Sequence, residues 1–251
     1  MRYKILIAVM AELPSFKNCI SKCPDKEKLI IVNNFTHEGV GDECEKLQKQ
    51  GAEVHWHPEN RGVSFAMNVG LHTLERGEND FVVILSPSAL FNNTVNDLVE
   101  AVEAREKQGS NYYYLTVADE NWQVPGTKTD LHAFAVTRRM VDEIGIYDEN
   151  FYPVYFEDTD LCWRMGVMGV QKTIVPEVRR VSQTLCGAAG SDKRILRHYE
   201  LNAERMARYY IRKWGAIYGQ EVYRTPYNDP NLTVKDWTLD KSTLIPMPAR
   251  V

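Results

Sequence analysis

Cysteine is scarce and unpatterned in this sequence. Its 251 residues include five, Cys19, Cys23, Cys44, Cys162 and Cys186, an odd number with irregular spacing and no CxxC pair. That excludes a disulfide framework and a zinc knuckle, and it predicts reduced thiols in a cytosolic compartment. Long apolar runs are also missing. The opening MRYKILIAVMAELP holds a short one, but Glu12 and Pro14 interrupt it where a signal-peptide cleavage site would fall, so it reads as a buried first strand. No stretch approaches the roughly 20 apolar residues that cross a bilayer, which leaves only peripheral membrane attachment. Charge of one sign is not in large excess: the net charge of −4 gives no footing for nucleic-acid binding. No GxGxxG follows the first strand and no GxxxxGKS/T occurs anywhere, which argues against a dinucleotide oxidoreductase and a P-loop enzyme.

What is present is a regular alternation of short apolar runs and amphipathic segments. Residues 3–10, 28–32, 52–56 and 81–85 read as strands; 14–22, 41–50, 63–76 and 94–108 read as helices between them. That pattern predicts a mostly parallel sheet with helices on both faces. The second half is less regular. Strands are expected at 112–117, 132–137 and 172–175, a helix starting near Glu157, and a long helix over 192–214 stopped by Gly215. The proline-bearing stretch from Gln220 onward reads as an extended strap.

Two groups of residues carry candidate chemistry. In Asn60-Arg61-Gly62, ahead of the helix that holds Asn68, an arginine can pair with phosphate, or the asparagine can simply cap the helix. In Phe156-Glu157-Asp158-Thr159-Asp160-Leu161, three carboxylates fall within four residues beside an aromatic stretch. Acidic residues favour a helix start, but crowding beside aromatics also raises carboxyl pKa values, as a general base requires. Between Lys172 and Lys213 the chain is rich in Lys and Arg, which suits an anionic ligand or acceptor, or a solvated helix face.

Taken together, these pieces resemble the family 2 glycosyltransferases, especially their rhamnosyltransferase-like branch. Residues 57–71 are similar to the family's N-x-G-x-x-x-A-x-N-x-G segment. Residues 138–151, with Arg138-Arg139 and Gly145-Ile146-Tyr147-Asp148-Glu149, are similar to its RR…GxFDExFF segment. Residues 157–164 are similar to its EDxDLxxR motif. The resemblance spans about residues 3–215 and implies a GT-A fold: a Rossmann-like nucleotide-sugar half over 1–110, an acceptor half over 111–191, a C-terminal helix over 192–215 and a tail over 216–251. It implies an inverting transfer of a sugar from a nucleoside-diphosphate sugar to a hydroxyl of a glycan or other acceptor, in surface polysaccharide or glycan assembly. Asp158 would be the base, with Glu157 and Asp160 orienting the acceptor or the helix. Nucleotide-sugar contacts map to Ala8, Val9, Asn33, Asn60, Arg61, Asn68, Ser86 and Ser88. Acceptor contacts map to Trp122, His132, Asp160 and Trp163.

One departure stands out. Family members carry an aspartate after the fourth strand that holds Mg or Mn on the diphosphate. Here the stretch is Leu85-Ser86-Pro87-Ser88, and Ser88 stands where the aspartate belongs. The family's later metal-binding histidine is missing too, in a region that holds Arg179 and Arg180. The expectation is therefore no metal ligand set, with arginine balancing the leaving-group charge. The alternative is a sugar-nucleotide-binding protein, or an inactive subunit of a glycan-assembly complex.

Overall fold

A computed structural model describes residues 1–9, 13–34, 39–87, 89–91, 94–109, 111–118, 132–170, 172–182 and 193–239. The strands are β1 (Tyr3–Val9), β2 (Leu29–Asn33), β3 (Glu53–Trp56), β4 (Phe81–Leu85), β5 (Ala89–Phe91), β6 (Tyr113–Ala118), β7 (Ala133–Thr137) and β8 (Thr173–Ser182). The helices are α1 (Leu13–Ser21), α2 (Val40–Lys49), α3 (Val63–Glu75), α4 (Val95–Glu106), α5 (Arg138–Ile144), α6 (Glu157–Val167) and α7 (Lys193–Trp214). All eight strands form one sheet in the order β3-β2-β1-β4-β7-β6-β8-β5. The pairs β1–β2, β1–β4, β2–β3 and β6–β8 are parallel, and the remaining three are antiparallel.

The strands are apolar on both faces because helices cover both. In β2, Leu29 and Ile31 pack with Phe16, Cys44 and Leu98 from α1, α2 and α4, whereas Ile30 and Val32 pack with Leu71, Met140 and Leu161 from α3, α5 and α6. This is the period-two alternation of a strand buried on both sides. Cys19, Cys23 and Cys44 are free thiols in the first of these layers. Burial pushes the Cys23 and Cys44 thiols up to about 12, so they act as small apolar side chains. A third cluster joins Met206, Tyr209, Tyr210 and Trp214 of α7 to Phe151. Among the described residues, no helix is long and apolar enough to cross a membrane.

Three features differ from the sequence expectation. Strand β8 runs past Pro176 to Ser182, because the β6–β8 register jumps from Thr116↔Val175 to Val117↔Arg179. The bulge takes Pro176 out of the ladder, where its missing N–H breaks no pairing. The short β5 and the seven-residue α5 carry too little periodicity to be read from sequence. The strap from Gln220 is not a loose extension: Val222 and Tyr223 donate backbone bonds to Trp214 O, each 3.1 Å, and Lys235 Nζ reaches Asp142 O at 2.9 Å.

Two helical glycines separate close packing from open space. A Cβ on Gly70 would lie 2.9 Å from Leu6 Cδ2 and 3.2 Å from Leu6 Cβ, whereas one on Gly166 would meet nothing within 4 Å. Gly70→Ala is expected to lower stability by about 1–3 kcal/mol through overpacking. Gly166→Ala is expected to raise it by roughly 0.5–1 kcal/mol through helix propensity. Urea unfolding midpoints check both.

Candidate active site

The parallel strands end side by side: Val9 pairs with Asn33, and Asn33 with Trp56. Ala8 and Val9 thus close β1 beside Asn33. The Asn33 side chain is 1% exposed, and neither its amide nitrogen nor its amide oxygen has a hydrogen-bond partner. A buried amide left in that state costs about 1–3 kcal/mol, which a ligand offering one donor and one acceptor would remove. His57 follows directly, its N–H donating to Asn33 O at 3.1 Å. Burial, then Arg61 and His55, lower the His57 pKa, so the ring is neutral at pH 7. The ring meets Phe65 edge-on, centroids 4.9 Å apart, and the exposed Arg61 guanidinium lies 3.7 Å over the Phe65 ring.

Arg61 is presented by a turn built from buried amides. Asn34 donates to Asn60 Oδ1 at 3.0 Å and to Gly62 O at 2.9 Å, and accepts from Arg61 N at 2.8 Å. Asn60 Oδ1 also accepts from Gly62 N at 2.8 Å. Tyr152 Oη donates to Asn60 O at 2.9 Å, and Val63 N to Pro153 O at 2.9 Å. Gly62 has φ 88°, and a Cβ there would lie 2.9 Å from the Tyr152 ring. Only glycine suits that backbone and that contact. Asn68 is committed elsewhere, accepting from Tyr147 N at 2.9 Å and donating to Tyr147 O at 2.9 Å and Glu149 Oε1 at 3.0 Å. Asn60 and Asn68, expected to touch the nucleotide, are instead internal braces. The side-chain oxygen of Asn60 and both ends of the Asn68 amide are bonded within the protein, and the direct ligand candidates are Asn33, His57 and Arg61. The asparagine pair Asn33-Asn34 ending a strand is legible in the sequence as a polar cluster, whereas His57 carries no signal of its own there.

The same packing fixes the start of the segment that leads to the acidic pair. Residues 152–153 lie against the 60–63 turn, and the chain then passes through Tyr155 (φ 82°) and Phe156 (φ 70°) into α6. Glu157 is 7% exposed, with Oε2 unpartnered. Burial, then the neighbouring Asp158, push its carboxyl up to about 8, against partial relief from the backbone N–H groups of Glu157 and Tyr155. Asp158 is half-buried and accepts from Thr159 N at 2.7 Å and Thr159 Oγ1 at 3.2 Å.

Asp160 does not face an acceptor. It is fully buried, with Arg164 Nε at 2.8 Å on one oxygen and Lys213 Nζ at 2.7 Å and Trp214 Nε1 at 2.8 Å on the other. Burial pushes its carboxyl up, but Lys213 and Arg164 outweigh that and hold it low. Lys213 also lies 2.7 Å from Asp148 Oδ2, which accepts from Tyr209 Oη at 2.6 Å. Trp163, also expected at the acceptor, is half-buried and donates to Tyr223 O at 3.1 Å. It is tied to the C-terminal strap.

At the end of β4, Ser86 N donates to His132 O at 2.7 Å, and burial lowers the His132 pKa. Arg179 and Arg180 lie on β8, with Arg180 paired to Phe91 and Ser182 to Ala89. Ser88 and Trp122 lie outside the described residues. A hard dication needs several carboxylate or similar oxygen ligands. Ser86 and Pro87 carry no carboxylate, and no group of three or more His, Cys, Asp or Glu able to hold a metal occurs among the described residues.

No family model matches the chain. Its fold does have relatives. GalNAc-T7 with UDP, GalNAc and Mn2+ superposes with TM-score 0.57 at 14% identity, over 85% of this chain and 50% of that one. S. aureus TarS in complex with UDP superposes with TM-score 0.54 at 12% identity, over 73% and 61%. The fold is GT-A. A galactofuranosyl glycosyltransferase of Leishmania donovani is 36% identical over 70 residues, 28% of this chain and 14% of that protein. The GT-A chain thus spans a small part of that relative and half to three-fifths of the two solved structures.

A raised Glu157 means that the folded protein holds a proton that the unfolded chain releases between its ordinary pKa of 4.5 and about 8. Stability contributed by Glu157 is therefore present at low pH and falls as pH rises through that window. Glu157→Gln imitates the protonated form. It is expected to match the native protein in urea unfolding at about pH 5 and to exceed it at about pH 9.

Proposed function

We propose that this chain is an inverting glycosyltransferase that moves a hexosyl group from a nucleoside-diphosphate sugar to an acceptor hydroxyl. The observation that carries this is the unpaired, buried Asn33 amide at the strand ends of a GT-A sheet, beside an Arg61 turn that Tyr152 and Pro153 tie to the segment leading into Glu157-Asp158. Ligands bind at that edge in open α/β sheets, beyond the carboxyl ends of the strands.

In this reading Ala8, Val9, Asn33, His57 and Arg61 hold the nucleotide. Glu157 keeps its own proton at neutral pH and cannot take another, which leaves Asp158 as the base. Asp158 accepts the proton of the acceptor hydroxyl as that oxygen bonds to the anomeric carbon. The bond from the anomeric carbon to the phosphate oxygen breaks with its electron pair leaving on the nucleoside diphosphate, and the configuration inverts. The growing diphosphate charge needs a cationic partner. Arg179 or Arg180, in the stretch where the family's metal-binding histidine falls, takes that role, with no step assigned to a metal ion. The motifs at 57–71, 138–151 and 157–164 support membership of family 2 and its rhamnosyltransferase-like branch, and with it a glycan or polysaccharide acceptor met in the cytoplasm or at a membrane surface. His132 and Trp122 are the proposed acceptor-side residues. The absence of a carboxylate from Ser86-Pro87-Ser88 favours a second reading, a sugar-nucleotide-binding protein without turnover.

Asp158→Asn is expected to lower UDP release from an active UDP-sugar by about 10²–10⁴-fold, with UDP affinity retained in calorimetry. Loss of UDP affinity as well would make Asp158 structural. Native activity is expected to survive exhaustive chelation. Activity that vanishes with chelator and returns with Mn or Mg would overturn the arginine assignment.

A further inference from the structure

The turn that presents the acidic pair has an unfavourable backbone. Tyr155 and Phe156 both lie at positive φ, 82° and 70°, a conformation that residues with a Cβ keep only where their surroundings enforce it. The surroundings are the last turns of α7. The Tyr210 ring lies 5.4 Å from the Phe156 ring. Lys213 Nζ and Trp214 Nε1 reach Asp160 Oδ1 at 2.7 and 2.8 Å, and Asp160 N donates to Phe156 O at 2.8 Å. Contacts therefore run unbroken from Lys213 through Asp160 to Phe156, with Asp158 between the two ends of that last bond. Lys213 is fixed from its other side by Asp148 at 2.7 Å, in the loop that leads to residues 152–153.

Resting on the transferase reading above, we infer that Lys213 is a positioning residue for Asp158. It pins the first turn of α6 so that the Asp158 carboxylate is aimed at the ligand edge, and it makes the C-terminal helix part of the reaction centre. A lysine that served only to bind the core together would affect folding and leave a folded variant's site unchanged.

The test joins Lys213→Met to Asp148→Asn. This removes one charge of each sign and leaves Asp160 with Arg164 and Trp214. Lys213→Leu with Asp148→Asn is the second variant, removing the same two charges with a different apolar side chain. In each folded variant, hydrogen exchange at residues 156–161 is expected to quicken about tenfold or more while β1, β2 and β4 stay protected. The kcat for UDP release from UDP-GlcNAc or another active UDP-hexose is expected to fall about tenfold or more with KM unchanged. Native exchange at 156–161, or native kcat, in a folded variant overturns the inference. If the native protein releases no UDP from any nucleotide sugar, the transferase reading fails instead, and hydrogen exchange alone decides whether Lys213 holds the turn.

Discussion

Asp148 and Asp160 are both withdrawn from water and share one ammonium, that of Lys213. With Arg164 on the far oxygen of Asp160, the group carries two negative and two positive charges. Removing any one partner from such a set costs about 3–5 kcal/mol, because an ion is then left buried and uncompensated. That constraint joins three distant stretches of chain: the loop after α5, the first turn of α6 and the last turn of α7. None can shift by a fraction of a turn without exposing a bare charge to a low-dielectric interior. The orientation of the first turn of α6, which carries the acidic pair, depends on it.

Hydrogen-bond satisfaction divides the polar residues of the site into two kinds. Asn34, Asn60 and Asn68 spend their side chains on backbone groups and hold the turns. Asn33 and Glu157 are buried and His57 is half-buried, yet each leaves a buried polar atom unpaired. Native proteins rarely tolerate such atoms without a reason. Unpaired atoms of this kind suit a polar ligand.

The sheet and its helices were legible in the sequence because β1, β2 and β4 are mostly buried apolar runs and amphipathic segments alternate with the strands. Phe81–Leu85 was read at its observed bounds. The motif comparison also located Glu157 and Asp158, since both are consecutive residues at a helix start. Partnership was not legible. Asp160 sits two residues from Asp158 and looks equivalent in sequence, but its environment is set by Lys213 and Trp214, more than fifty positions away. Lys213 follows Met206 and Tyr210 at helical spacing on the buried face of α7, so a charged residue on an apolar stripe was the available clue. Asn60 and Asn68 could not be told from ligand contacts for the same reason: whether an asparagine braces a turn or meets a ligand depends on what the fold packs against it.

The central claim is that a nucleoside diphosphate is read at the edge where Asn33 stands unpaired. Titration calorimetry of UDP, GDP and dTDP, with the native protein and with Asn33→Ala, tests it most directly. The account predicts that at least one diphosphate binds the native protein and binds Asn33→Ala about tenfold or more weakly, as the loss of a buried hydrogen-bond pair requires. Absence of binding for all three, or equal affinity in the two proteins, would contradict it.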